Sequence, residues 1–141
     1  MYYLKTSSSF DSAHFLSGYD GKCKNIHGHR WVIEVRIKGK ELQKSGNEKG
    51  MLTDFGNLKK TVRDLAESFD HSLIYEKNTL KPSTIQALED EDFRLIEISF
   101  RPTAENFAHY FYDILSADGF GLADVTVYET PDNCAVYGEE C

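Results

Sequence analysis

The sequence lacks any apolar run long enough to cross a membrane as a helix. It also lacks an excess of positive charge, with 16 Lys and Arg against 23 Asp and Glu and a formal net charge of −7. A general nucleic-acid binder needs a basic stripe for the phosphates, and an anionic membrane surface repels an acidic protein, so neither partner is expected. Cysteine is scarce and odd in number, three in 141 residues, with Cys134 and Cys141 close together. That count argues against a disulfide framework and makes a reducing cytoplasm the default compartment. The opening residues Met1 to Thr6 carry no signal-peptide core. No Pro- or Ser-rich linker, low-complexity stretch or repeat divides the chain. What is present, 40% hydrophobic and 13% aromatic residues, suffices for the core of a single domain over residues 1–141.

Local patterns predict a mixture of strands and helices. Tyr2 to His14 is rich in Tyr, Ser, Thr and Phe without helical apolar spacing and reads as a strand. In Trp31 to Lys38 the residues Ile33, Val35 and Ile37 alternate with Glu34, Arg36 and Lys38, the period of a strand with one face buried. After a polar loop at 44–50, Asp54 can cap a helix with Leu58, Val62, Leu65 and Phe69 on one side. Ser83 and Gln86 have the spacing of a capping box, opening a short helix to about Asp90. Phe93 to Phe100 alternates again, and Thr103 can cap a helix through Phe107, Phe111, Ile114 and Leu115 that stops at Gly119 and Gly121. Leu122 to Glu129 and Cys134 to Tyr137 flank a turn at Pro131-Asp132-Asn133. This order predicts an α+β fold with an antiparallel sheet and its helices on one face.

The segment from Cys23 to His29 carries the most chemistry. In extended chain, positions two apart project from one side, so His27 and His29 can converge, and His14 at the end of the first strand can join them. Three imidazoles leave a coordination position open, as in a catalytic zinc site, although Fe²⁺, Cu²⁺ and Ni²⁺ also accept such ligands. The alternative is a pair of ordinary polar residues on a turn and a hydrogen-bonded strand histidine. Cys23 has three readings: a fourth ligand, a catalytic thiol whose flanking Lys22 and Lys24 favour the thiolate, or a buried apolar side chain.

Three further places carry polar groups. Asp70 and His71 can pair for proton transfer, or His71 can simply favour the negative end of the preceding helix. Glu129 shares a strand face with Val125 and Val127, where a carboxylate needs partners or must bend outward. Glu105 suits the first turn of its helix or faces a site, and His109 reads as structural or surface.

Taken together, Phe10-Asp11-Ser12-Ala13-His14, Cys23-x3-His27-Gly28-His29, Thr53-Asp54-Phe55-x2-Leu58-Lys59, Asp70-His71, Pro102-Thr103-Ala104-Glu105-Asn106 and Val127-Tyr128-Glu129-Thr130 resemble one family. It is the group of 6-pyruvoyltetrahydropterin and 6-carboxytetrahydropterin synthases. The three residues between Cys23 and His27 resemble the bacterial 6-carboxytetrahydropterin synthases of queuosine biosynthesis.

The resemblance implies one Zn²⁺ per chain on His14, His27 and His29. It implies a basic thiol at Cys23, proton transfer by Asp70 and His71, and a pterin anchor at Glu129. Thr103 and Glu105 match secondary pterin contacts. The implied fold is a four-stranded antiparallel sheet with two main helices on one face. Three such sheets join into a barrel, and two trimers stack as a homohexamer with active sites between subunits. The implied substrate is 7,8-dihydroneopterin triphosphate. A pyruvoyl product, an aldolase-like cleavage of dihydroneopterin and a non-catalytic pterin-binding module are the alternatives. No role transfers to the segment from about Tyr75 to Arg101.

Overall fold

The computed structural model describes residues 1–138. Its core is laid down by two long neighbouring strands, β1 (Tyr2–His14) and β2 (His27–Gly39). They pair antiparallel without a break, from Tyr2 opposite Gly39 to His14 opposite His27. Alternation then decides the faces: Trp31, Ile33, Val35 and Ile37 of β2 are buried on one side, beside Phe10, Ser12 and His14 of β1.

Helix α1 (Phe55–Glu67) begins where the Asp54 carboxylate accepts a bond from the Gly56 N–H at 2.7 Å, and it buries Leu58, Val62 and Ala66 against the sheet. Phe69 lies just beyond this helix and is buried with it. Helix α3 (Ala104–Ser116) is capped by Thr103 and buries Phe107, Phe111 and Leu115. The two helices and the buried face of β1 and β2 share one hydrophobic cluster, so both helices lie on the same side of the sheet. Aromatic rings fill its centre, with Trp31 edge-on to Phe107 at 5.0 Å and Phe107 stacked on Phe111 at 5.5 Å.

The remaining elements are β3 (Ser72–Glu76), α2 (Pro82–Asp90), β4 (Leu95–Ile98), β5 (Leu122–Thr130) and β6 (Asn133–Gly138). The strands form one six-stranded sheet in the order β4-β3-β1-β2-β5-β6. Its β1-β2-β5-β6 part is antiparallel, as expected, whereas β3 pairs parallel with both β1 and β4. The predicted four-stranded antiparallel sheet is therefore corrected to a mixed six-stranded one. Strand β3 escapes sequence reading because it follows His71 with no intervening turn signal and meets β1 through only Ser12 and Ala13.

The capping box at Ser83 and Gln86 is also corrected. Lys81 occupies the cap position with no side-chain bond, Pro82 opens the helix, and the Gln86 amide donates to Asp90 instead. Proline has no N–H to satisfy and a preset φ, so the helix starts two residues earlier than a cap at Ser83 would place it. The β5–β6 turn forms where expected, with the Thr130 hydroxyl accepting from the N–H groups of Asp132 and Asn133.

Candidate metal centre and active site

The β1–β2 register builds the site. His14 and His27 are direct cross-strand partners, and His29 follows on the same face two residues along. One ring nitrogen from each of the three lies within 4.8 Å of the others. Trp31 forms the floor, edge-on to His14 at 5.0 Å and to His29 at 5.4 Å.

Outer hydrogen bonds orient the rings. His14 Nδ1 donates to the Pro102 carbonyl at 2.8 Å, and His27 Nδ1 donates to the Asn25 carbonyl at 2.7 Å. A carbonyl can only accept, so in each neutral ring the proton sits on Nδ1 and Nε2 keeps its lone pair. These two Nε2 atoms face each other at 3.1 Å. Two lone pairs so close repel unless a cation lies between them. The Nε2 of His29 is buried with no hydrogen bond, although Glu129 Oε1 stands 3.4 Å away. Three inward-facing imidazoles, two of them braced by carbonyls, fit a divalent metal.

The electrostatics favour the ligand form. Burial pushes the His14 pKa down to about 4; its bond to Pro102 opposes this, and His27 and His29 add to the depression. His29 is also lowered by burial, with Glu129 opposing and His27 adding.

Cys23 lies on a short 3-10 turn, Lys22–Lys24, and is half-buried. It stands outside the three-histidine ligand group, so of its three readings the fourth ligand and the buried apolar side chain lose support. Its carbonyl accepts from the Leu16 N–H at 2.9 Å and ties the loop back to the end of β1. Among the described residues Cys134 is free and exposed, and Cys141 lies outside them.

Asp70 and His71 do pair. Asp70 Oδ2 accepts from His71 Nδ1 at 2.8 Å, and Oδ1 accepts from the Asp11 N–H at 2.8 Å. The His71 N–H in turn donates to the Asp11 carbonyl at 2.7 Å. The Asp11 N–H, followed by His71, holds the Asp70 carboxyl below its usual pKa. The His71 side chain is 80% exposed.

Glu129 sits at a register irregularity between Tyr128 and Thr130, half-buried beside His29. With Arg30, Val32, Tyr128, Thr130 and Pro131 these residues line a groove of about 430 Å³. Thr103 uses its hydroxyl to accept from the Asn106 N–H at 3.2 Å, and Glu105 is exposed in the first turn of α3. His109 is a surface residue, stacked on Tyr137 and 3.3 Å from Asp113. Arg30 is engaged by Asp11, at 3.0 Å from Nε to Oδ1. Sequence patterns do not single out the Asn25 carbonyl as a partner, because any residue type supplies a carbonyl; for Pro102 the one signal is its place before the helix cap Thr103.

An α+β protein with three convergent histidines at one end of its sheet and a bonded Asp–His pair has the fold of the tetrahydropterin synthases. A family model described as 6-pyruvoyl tetrahydropterin synthase matches residues 3–140, and this chain belongs to that family. It is 35% identical over 142 residues to the Haemophilus influenzae protein named 6-carboxy-5,6,7,8-tetrahydropterin synthase, covering 99% of this chain and 100% of that one. A Wolinella succinogenes protein of uncharacterised function has the same fold, with TM-score 0.81 and 21% identity over 99% of this chain and 98% of that one. The Caenorhabditis elegans 6-pyruvoyl tetrahydropterin synthase matches with TM-score 0.68 and 25% identity, over 99% of this chain and 96% of its own.

Proposed function

We infer that this chain is a 6-carboxy-5,6,7,8-tetrahydropterin synthase. It converts 7,8-dihydroneopterin triphosphate and one water to 6-carboxytetrahydropterin, acetaldehyde and triphosphate, as a cytoplasmic enzyme of queuosine biosynthesis. The observation that carries this reading is the full-length similarity to the Haemophilus influenzae enzyme of that name.

His14, His27 and His29 would hold one Zn²⁺, which supplies Lewis acidity toward the hydroxyl oxygens of the substrate side chain. Cys23 as thiolate takes the side-chain proton. His71, its Nδ1–H fixed by Asp70, carries the complementary proton on Nε2. Glu129 accepts two N–H bonds from the guanidine-like edge of the pterin, a geometry that suits a carboxylate. Thr103 and Glu105 add pterin-side contacts, and the active enzyme is a homohexamer with sites between subunits.

The test is incubation of purified protein with dihydroneopterin triphosphate, with and without chelator, followed by mass spectrometry. Carboxytetrahydropterin and acetaldehyde, lost with chelator, are expected. A pyruvoyl product would assign the related synthase activity, glycolaldehyde an aldolase, and binding without turnover a pterin-binding module; each would overturn the reading.

A further inference from the structure

The segment from Tyr75 to Arg101 takes no role from the family resemblance, yet one of its residues reaches back to the candidate site. Arg94, just before β4, grips the end of α1 with its guanidinium. Nη1 donates to the carbonyls of Asp70 at 2.6 Å and Glu67 at 3.4 Å, and Nη2 donates to that of Ser68 at 2.5 Å. The Arg94 carbonyl accepts from the Leu73 N–H at 3.0 Å. One residue thus brackets the Asp70–His71 turn, its side chain on the way in and its main chain on the way out.

That turn needs holding. His71 has φ 52, the left-handed region that a residue with a Cβ occupies only when its surroundings enforce it. The last carbonyls of a helix lack intrahelical donors and carry its negative end, and the last turn of α1 has no basic residue of its own. A planar guanidinium with several N–H groups meets several carbonyls at once, which an ammonium cannot do in the same geometry.

The end of α2 delivers Arg94 to this place. Asp92 is left-handed at φ 64; its N–H bonds to the Glu89 carbonyl at 2.9 Å, and the Phe93 N–H bonds to that of Leu88 at 3.1 Å. This paired closure ends the helix and turns the chain back toward β3. Leu88 and Phe93 then line a groove of about 510 Å³ with Leu73, Leu95, His71 and Arg94.

We propose that Arg94 is a positioning residue for the Asp70–His71 pair, and that the α2–β4 segment is the arm that presents it. The proposal rests on the reading of that pair as proton-transfer groups. Arg94 acts by fixing the turn, which sets where the His71 ring stands while Asp70 keeps its Nδ1 protonated.

The test uses the full-length, zinc-loaded protein with Arg94→Ala and Arg94→Lys. Arg94→Ala is expected to lower kcat tenfold or more, since small misplacements of a reacting group cost that much. KM should stay within about twofold and zinc per chain unchanged, with Arg94→Lys recovering part of the loss. In a His71→Ala background Arg94→Ala should cost nothing further, because residues that act through one group are not additive. Ring-nitrogen NMR of histidine-labelled protein should show His71 losing its single Nδ1–H tautomer in Arg94→Ala. A lowered Tm with unchanged kcat and an unchanged His71 tautomer would overturn the proposal, as would additive losses in the double variant. If His71→Ala alone leaves turnover intact, the catalytic reading of the pair fails, and the His71 tautomer then decides whether Arg94 holds the turn. Should Arg94→Ala not fold, Arg94→Gln carries the same comparisons.

Discussion

At the scale of single residues, the proposed site separates binding from chemistry. His27 offers its Nε2 to the cluster and donates from Nδ1 to the Asn25 carbonyl, so His27→Ala removes a ligand and leaves that carbonyl without its donor. It should lose zinc, measured as metal per chain. Cys23 lies outside the ligand group, and Cys23→Ala is expected to keep its zinc while turnover falls to background. Full activity in that variant would remove the thiol from the mechanism. His14 gives the pH dependence. An unfolded histidine takes up a proton near pH 6.5, whereas buried His14 does so only near about 4. Between those values the unfolded state binds a proton that the native state refuses, so stability falls as pH falls and levels off below about pH 4. The loss should reach up to about 3 kcal/mol in chelator-treated protein, read from urea midpoints at each pH.

At the scale of elements, caps and turns set the positions of groups they do not touch. Thr103 caps α3, and the preceding Pro102 carbonyl orients His14. Thr103→Ala should cost about 1 kcal/mol in a denaturant melt, the usual value of such a cap. Because the cap also fixes the chain at Pro102, the variant should bind zinc more weakly in a chelator competition. The register irregularity between Tyr128 and Thr130 belongs to the same scale, since it lies where the sheet brings Glu129 beside His29.

At the scale of the whole molecule, the sheet leaves edges open. Strand β3 pairs with β1 only at Ser12 and Ala13, and β6 is the last strand on the other side. Open edges invite pairing with another chain, and Tyr2 and Tyr3 of β1 and Val136 of β6 are exposed. The proposed hexamer predicts a particle of six times the 16.1 kDa chain mass in light scattering. Val136→Lys, a charge placed on the outer strand, should shift that particle toward smaller species while leaving the single-chain far-UV spectrum unchanged.

Much was legible in the sequence because it is carried by periodicity and side-chain chemistry. The alternation of Ile33, Val35 and Ile37, the caps Asp54 and Thr103, and the spacing of His27 and His29 all act through residues close in the chain. Strand β3 was not legible: it is a five-residue strand whose partners are distant in the chain, and neither neighbour leaves a mark on its own sequence. The same holds for Arg94, whose acceptors are main-chain carbonyls that every residue owns. Sequence by itself determined which side chains were available for metal and proton chemistry. Only the tertiary structure decided which of them meet, because the unbroken β1–β2 register places His14 opposite His27 and the turn at Asp70 and His71 is bonded to Asp11.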